Sequence, residues 1–144
     1  MNDNLFDAIH NNDIKLVKSL FERGADVNVR DDEYNWTPLH FASRDGCIDI
    51  VKLLLEHDID INAKNNIYEE TPLRCASEHG CTDIVKILLE HDADANDQDW
   101  CDSTSLHYAS YKGYTDIAKL LLEHNAEVNI QDRDGNTPLH CSSR

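Results

Sequence analysis

The chain has 144 residues, of which 40% are hydrophobic and 28% charged, and this composition predicts one folded domain with a substantial core. Its 28 acidic residues outnumber its 13 lysines and arginines, which gives a net charge of −15. Because lysine and arginine are the residues that neutralise phosphates, this excess disfavours nucleic acid and anionic membrane surfaces. We therefore expect no nucleic-acid partner and no membrane partner. A protein with a neutral or basic contact surface is the favoured partner.

The cysteines and the chain start bear on the cellular compartment. There are five cysteines and no Cys-x-x-Cys pair. No charged and apolar leader follows Met1, and no apolar run approaches the roughly 18 residues of a membrane span. These features predict a reducing, cytoplasmic compartment. Secretion without a leader stays open as an alternative.

Pairs of short helices are predicted along the chain, first over residues 5–28 and then more clearly from Thr37. The Thr37 hydroxyl can cap free N–H groups, and proline suits the position after it. Gly46 ends this helix, and Asp49 lies in the first turn of a second, largely apolar helix, where the helix dipole favours negative charge. Neither helix reaches the ~12–15 residues that an isolated helix needs in water, so each must pack against its neighbours.

The helix pair is an internal repeat. The six-residue string that begins at Thr37 returns, with substitutions, at Thr71, Thr104 and Thr137, in steps of 34, 33 and 33 residues. The apolar segment of the second helix and a trailing segment that ends in asparagine keep the same step. Residues 5–28 fit the same frame without the Thr-Pro opening. Units of this period bury their apolar faces against one another.

These strings, above all Thr-Pro-Leu-His-Phe-Ala at residues 37–42, resemble the ankyrin family. The resemblance implies an all-α solenoid of stacked helix-turn-helix units joined by β-hairpin-like loops. It implies a single ankyrin-repeat domain over residues 1–144, with four full repeats and the first half of a fifth. The repeats are placed approximately at residues 3–36, 37–70, 71–103, 104–136 and, in part, 137–144.

One departure from the family pattern concerns the turn after each second helix, where relatives usually carry a left-handed glycine. Here Gly24 keeps it, whereas Asp58, Asp92 and Asn125 replace it. Aspartate and asparagine tolerate this conformation less well than glycine. We therefore expect glycine at positions 58 and 92 to stabilise the fold.

The eight histidines invite a metal or catalytic interpretation. The resemblance gives His40, His107 and His140 a structural hydrogen-bonding role. The histidines that close successive second helices should lie about 10 Å apart, too far for one zinc ion, although a pH-responsive column is conceivable. No phosphate-binding or nucleophile motif is present, and most carboxylates recur with the repeat. We expect no enzyme, no catalytic residue, no metal and no cofactor; an enzyme or a metal-binding protein is the distant alternative.

Ankyrin relatives bind partners through the hairpin tips and the exposed, concave face of the first helices. At these positions the present sequence varies from repeat to repeat and concentrates aromatic residues, which dominate interface hot spots. For Trp36 and Tyr34, packing between neighbouring fingers is the alternative. The predicted partner-binding residues are Tyr34, Trp36, Phe41, Arg44, Asp45, Tyr68, Glu78, His79, Trp100, Tyr108, Tyr111 and Lys112.

The resemblance favours a protein–protein interaction module that acts as scaffold, adaptor or competitive inhibitor. A microbial or viral effector that binds a host protein is the alternative, which the asparagine-rich and isoleucine-rich composition favours weakly. Ankyrin relatives can also be hydroxylated on the asparagines equivalent to Asn28, Asn62, Asn96 and Asn129. Because few residues follow His140, weak self-association through the incomplete last repeat is a further expectation.

Overall fold

The computed structural model describes residues 2–142, so Met1 and the last two residues of the predicted partial repeat lie outside it. It confirms the all-α class, because no residue in the described range belongs to a strand. The helices in that range are α1 (Asn2–His10), α2 (Ile14–Glu22), α3 (Pro38–Asp45), α4 (Ile48–Leu55), α5 (Pro72–Glu78), α6 (Thr82–Glu90), α7 (Ser105–Lys112), α8 (Thr115–Glu123) and α9 (Pro138–Ser142).

The helices form two layers. The first helices of the repeats pack in one series from α1 through α3, α5 and α7 to α9, and the second helices pack in another from α2 through α4 and α6 to α8. One continuous apolar core lies between the layers, with fully buried side chains such as Ile9, Leu54, Leu88 and Leu121. Burying each such side chain stabilises the fold by about 1.5–3 kcal/mol, which explains how helices of nine residues or fewer persist.

The starts of α3 and α7 are held by a threonine–histidine pair. The Thr37 N–H donates to His40 Nδ1 at 3.1 Å, so Nδ1 is the unprotonated nitrogen. The Nε2–H of His40 then donates to the carbonyl of Glu70 at 2.8 Å, which ties α3 to the following loop. Burial lowers the pKa of His40 to about 4. His107 makes the same contacts in α7.

The turns after the second helices follow the prediction at three positions. Gly24, Asp92 and Asn125 have φ values of 93°, 64° and 68°, all in the left-handed region. In the turns at Asp92 and Asn125, the N–H group of the following residue donates a hydrogen bond to the carbonyl five residues before it. Ala93 N donates to Leu88 O at 3.0 Å, and the corresponding bond in the next repeat is 2.9 Å long.

The prediction for Asp58 is wrong. This residue is not among those with positive φ, and α4 ends at Leu55, one residue earlier than the second helices of the next two repeats. The Ile59 N–H donates to His57 O at 3.0 Å, two residues back, and not to the carbonyl five residues back as in the turns at Asp92 and Asn125. The residue after the turn is alanine in the other repeats and isoleucine here, and the larger branched side chain accompanies a different path of the chain.

Four hairpin-like loops project beyond the helix layers, and we call them fingers 1 to 4 (residues 31–36, 65–70, 99–103 and 132–136). Each is closed by a backbone hydrogen bond between its first and last residues, at 2.8–3.1 Å. In each, the first residue is an aspartate or asparagine whose side-chain oxygen accepts N–H groups of the same loop. The aspartate or asparagine thus fixes the finger without any strand in the described range.

Asparagines join successive repeats on the side of the turns. Asn96 Nδ2 donates to the carbonyl of Asn125 at 3.0 Å, and its Oδ1 accepts from the N–H of Glu127 at 2.8 Å. Asn28 makes the corresponding two bonds to the next repeat, at 2.9 and 3.0 Å. These side chains therefore set the spacing between neighbouring turns.

Candidate protein-binding surface

The exposed aromatic residues lie on the fingers and on the first-helix layer. Tyr111 of α7 is 63% exposed, and Tyr34, Tyr68 and Trp100 on fingers 1 to 3 are 41–45% exposed. Within each first helix, positions three and four residues apart share a face, so the face that carries Tyr108 also carries Tyr111 and Lys112. The predicted contact residues therefore fall on the fingers and on one face of each first helix.

Trp36 and Phe41 differ from this pattern, because they are only 9% and 6% exposed. The Trp36 ring stacks on His40 with centroids 5.7 Å apart and lies 5.0 Å from the Phe41 ring. Tyr34 lies 6.2 Å from Trp36. Trp36 and Phe41 were predicted to contact a partner, and their burial gives them a packing role between finger 1 and α3 instead. They form a platform beneath the surface.

Arg44 lies on that platform. Its guanidinium carbon is 5.0 Å from the centroid of the Trp36 ring and 5.4 Å from that of Phe41. Its Nε donates to Asp45 at 2.9 Å, while His10 Nδ1 lies 3.0 Å from the other carboxylate oxygen and links α1 to α3. Partial burial opposes the charge of Asp45, yet the hydrogen bonds from Arg44 and His10 hold its pKa below the usual range. Arg44 is thus oriented and still partly exposed.

A buried ionic cluster that the sequence analysis missed lies at the centre of the surface. Arg74 pairs with Glu70, with Glu78 at 2.9 Å, and with Asp99 at 3.6 Å. Its guanidinium lies 4.1 Å from the centroid of the Tyr108 ring. The available signal was the arginine itself, which replaces the histidine of the repeat at this position. Three carboxylates surround one cation, so the cluster carries net negative charge.

Tyr108 is half-buried by these contacts. Its hydroxyl donates to Asp99, and burial together with that carboxylate raises the pKa of the phenol well above its ordinary value. The ring therefore offers one partly exposed edge, and the hydroxyl is already in use. Of the predicted residues around the cluster, Glu78 is held by Arg74, and His79 is exposed with its Nδ1 bonded to Cys75 O at 2.9 Å.

Fingers 2, 3 and 4 carry a row of side chains in contact with one another, which we call the fingertip ladder (Tyr68, Trp100 and Arg133). The rings of Tyr68 and Trp100 have centroids 6.0 Å apart, and the Arg133 guanidinium lies 5.8 Å from the Trp100 ring. Backbone bonds hold the tips together, because Trp100 N donates to Tyr68 O at 3.1 Å and Arg133 N to Cys101 O at 2.8 Å. The ladder is thus exposed but backed by fixed main chain.

Tyr111 and Lys112 extend the surface at the end of α7. Both are exposed, and in the described part of the chain neither side chain takes part in a hydrogen bond or ion pair. Large side chains that the fold itself does not use are available for recognition at low cost to stability.

Within residues 2–142 no group of three or more histidine, cysteine, aspartate or glutamate side chains could hold a metal ion. His91 and His124 each bond a carbonyl of their own helix at 2.9 Å. No helix in the same range has the length and apolar character that crossing a bilayer requires.

Stacked helix pairs with ordered, projecting fingers define a repeat protein of the ankyrin class. A family model described as ankyrin repeats (3 copies) matches residues 5–99, and one described as ankyrin repeats (many copies) matches residues 88–141. The chain therefore belongs to the ankyrin-repeat family, as the resemblance predicted. Ankyrin repeats mediate protein–protein interaction.

Among curated proteins, the chain is similar to two 2-5A-dependent ribonucleases. It is 42% identical to the one from Mus musculus over 45 residues, which are 31% of this chain and 6% of that protein. It is 50% identical to the one from Homo sapiens over 38 residues, which are 26% of this chain and 5% of that protein. The matches cover only a small part of each relative's length, so they support the repeat family alone.

Proposed function

We propose that this chain binds another protein through the fingertip ladder and the exposed face of the first helices. The observation that carries the proposal is the exposure of two large aromatic side chains: Trp100 on finger 3 is 45% exposed, and Tyr111 on α7 is 63% exposed. Aromatic residues on a fixed backbone give large contact area with little loss of side-chain entropy on binding. Arg44 and Lys112 extend this surface at its two ends.

The partner is proposed to have a neutral or basic contact surface. Support comes from the net charge of −15 and from the central cluster, where Glu70, Glu78 and Asp99 outnumber Arg74. An acidic surface speeds association with a basic partner and disfavours acidic ones. Scaffold, adaptor, competitive inhibitor and host-directed effector would all use this same surface, and the identity of the partner distinguishes them.

No catalytic role is part of this proposal. His40 and His107 are used in the helix starts, and both bond the next loop through Nε2. Burial raises the pKa of the Cys75 thiol far above its ordinary value, which disfavours the reactive thiolate. These observations support structural roles for His40, His107 and Cys75.

The test compares the Trp100→Ala/Tyr111→Ala variant with wild type in affinity capture from the native cell, followed by calorimetry with the purified partner. Truncation at one hot spot costs about 2 kcal/mol or more, which is a ~30-fold loss of affinity. Because such losses are not additive, the double variant should bind more weakly by at least this factor. Its free energy of unfolding should stay within about 0.5 kcal/mol of wild type.

A matched control removes exposed apolar side chains from the second-helix layer. Leu16 and Leu122 are 39% and 46% exposed, so Leu16→Ala/Leu122→Ala makes a similar loss of apolar surface elsewhere. This control should keep full affinity. Equal weakening by both double variants, or unfolding of Trp100→Ala/Tyr111→Ala, would contradict the proposed site.

Weak self-association at the C-terminal end of the stack is a second candidate. Leu139 is 75% exposed, whereas the equivalent leucines 39, 73 and 106 are 1–3% exposed. Val128 nearby in sequence is 53% exposed, so this end of the stack presents apolar surface. Light scattering at two concentrations should show a mass that rises with concentration in wild type and does not in Leu139→Gln. A constant mass in both would remove this candidate.

A further inference from the structure

A pocket of about 400 Å³ lies where α1, finger 1 and α3 meet. Its walls include the aromatic side chains of Phe6, Tyr34 and Phe41. The Phe6 and Phe41 rings have centroids 5.2 Å apart, and Tyr34 is 41% exposed. The pocket therefore has an apolar, aromatic floor that is open to solvent.

The rim of this pocket is acidic. Asp3, Asp7, Asp31 and Glu33 all line it, against one permanent cation, Arg44, and one neutral or protonated imidazole, His10. Four carboxylates and one guanidinium leave a net charge of −3, since four negative charges are offset by one positive charge. The charge of Arg44 is itself engaged by a carboxylate outside the lining at 2.9 Å. The pocket thus attracts a cation and repels an anion.

The aromatic floor already holds a guanidinium within the protein. Arg44 stacks against Trp36 and Phe41 at 5.0 and 5.4 Å, within the ~6 Å range of a cation–π interaction. Phe6 and Tyr34, on the other side of the pocket, carry no such cation among the contacts of the described residues. A second guanidinium would therefore find both an aromatic surface and nearby carboxylates.

The acidic rim is only partly a framework feature of the repeat, because Asp31 is one of the aspartates or asparagines that recur as the first residue of each finger, and the other carboxylates do not follow that pattern. One repeat further on, 34 positions later, Asp7 corresponds to Phe41 and Glu33 to Ile67. Glu33 has an acidic equivalent in finger 4, Asp134, whereas Asp7 has none in the later repeats. An acidic side chain that departs from the repeat in this way is what a dedicated contact would require.

We propose that this pocket receives an arginine side chain of the partner protein; this inference rests on the proposed function. A guanidinium is favoured because its planar face stacks on aromatic rings while its edge donates two parallel hydrogen bonds to a carboxylate. Asp7 and Glu33 are the carboxylates proposed to accept them. Asp31 already accepts the N–H groups of Tyr34 and Trp36, and Glu33 now shares a hydrogen bond with the Tyr34 side chain that the incoming guanidinium would join or replace.

The test is a titration of the isotope-labelled protein with three capped tripeptides, Gly-Arg-Gly, Gly-citrulline-Gly and Gly-Lys-Gly, followed by NMR. Citrulline has the shape of arginine without its charge. The arginine peptide should shift the amide signals of Phe6 and Tyr34 and the indole N–H signal of Trp36 in a saturable way. It should bind about tenfold more tightly than the citrulline peptide and more tightly than the lysine peptide.

The variant Asp7→Asn/Glu33→Gln should weaken binding of the arginine peptide roughly threefold to tenfold. The control Glu56→Gln/Glu90→Gln removes the same number of charges from exposed positions on the second-helix side and should bind as wild type does. Equal binding of the arginine and citrulline peptides, tighter binding of the lysine peptide, or equal weakening by the two variants would overturn the assignment.

The peptide titration separates this inference from the proposed function, because it needs no partner. Once the partner is purified, Asp7→Asn/Glu33→Gln should weaken its binding about as much as it weakens the peptide. If partner affinity is unchanged in this variant but reduced in Trp100→Ala/Tyr111→Ala, the partner does not use the arginine pocket. The proposed function would then still hold.

Discussion

The guanidinium of Arg74 lies over the ring of Tyr108, with its carbon 4.1 Å from the ring centroid, and this contact joins α5 to α7 inside the stack. The same guanidinium pairs with Glu70 and Asp99, which lie at the ends of two different fingers. Arg74 therefore holds together two first helices and the fingers that precede them, so its removal affects the fold as well as the surface.

Arg74→Met should lower the free energy of unfolding by about 3 kcal/mol, because it leaves buried carboxylates without their cation. For a chain of this size the melting temperature should fall by roughly 10 °C. Arg133→Met is the matched control, since Arg133 also lies over an aromatic ring but its side chain is 61% exposed. The control should change stability by less than about 0.5 kcal/mol. A similar decrease in the free energy of unfolding in both variants would show that burial of the guanidinium does not determine its contribution to stability.

Asn96→Ala should destabilise the fold by about 2 kcal/mol, because two hydrogen bonds to the next repeat are lost. Asn129 occupies the equivalent position one repeat later and makes no such bonds within the described residues. Asn129→Ala should therefore change stability by less than about 0.5 kcal/mol. Urea unfolding followed by circular dichroism measures both, and equal effects would argue against the bridging role.

Glycine substitutions at two equivalent aspartates should have opposite signs. Asp92 has a φ of 64°, so Asp92→Gly relieves strain and should stabilise by about 0.5 kcal/mol. Asp58 does not adopt that conformation, so Asp58→Gly adds only flexibility to the unfolded chain and should destabilise by about 0.5–1 kcal/mol. Thermal unfolding of the two variants beside wild type is sufficient. Stabilisation by Asp58→Gly would mean that the turn after α4 resembles the others in solution.

His40 should make stability fall in mild acid. The unfolded imidazole binds its proton at the ordinary pKa of 6.5, whereas the buried imidazole does so only at about 4. Between these values the unfolded state binds more protons, so the stability present above pH 6.5 is lost as the pH falls. The loss over this window is on the order of 3 kcal/mol.

His40→Gln separates this contribution from the other titrating groups. The variant should be less stable than wild type near neutral pH, because it lacks the bond to the Glu70 carbonyl. Its free energy of unfolding should depend less steeply on pH between 6.5 and about 4. Parallel pH profiles for the two proteins would show that His40 is not the source of the slope.

The sequence predicts the repeat, the helix pairs and the location of the predicted contact residues on the fingers and first helices, because these features depend on periodic signals. Thr37 and His40 recur as a pair and make the helix start that their family role implies. Burial of Trp36 depends on how finger 1 lies against α3, and no periodic signal carries that information. The backbone conformation at Asp58 could not be predicted from the repeat either, because it goes together with one substitution, isoleucine in place of alanine at position 59.

The ionic cluster was missed for a related reason. Arg74 replaces the histidine of the repeat, and its contacts come from residues 70, 78, 99 and 108. These belong to different repeats and different element types. A substitution at a framework position therefore indicates that the contacts of that side chain differ from those in the other repeats. It does not indicate which residues make the new contacts.

Fingers 2, 3 and 4 are joined to one another through main-chain atoms, as in the bond from Trp100 N to Tyr68 O. Such bonds do not depend on which side chain a tip residue carries. The aromatic and charged groups at the tips can therefore be exchanged by mutation while the loops keep their spacing. A scaffold of this kind can evolve toward a new target, or be redesigned for one, by changing a handful of codons.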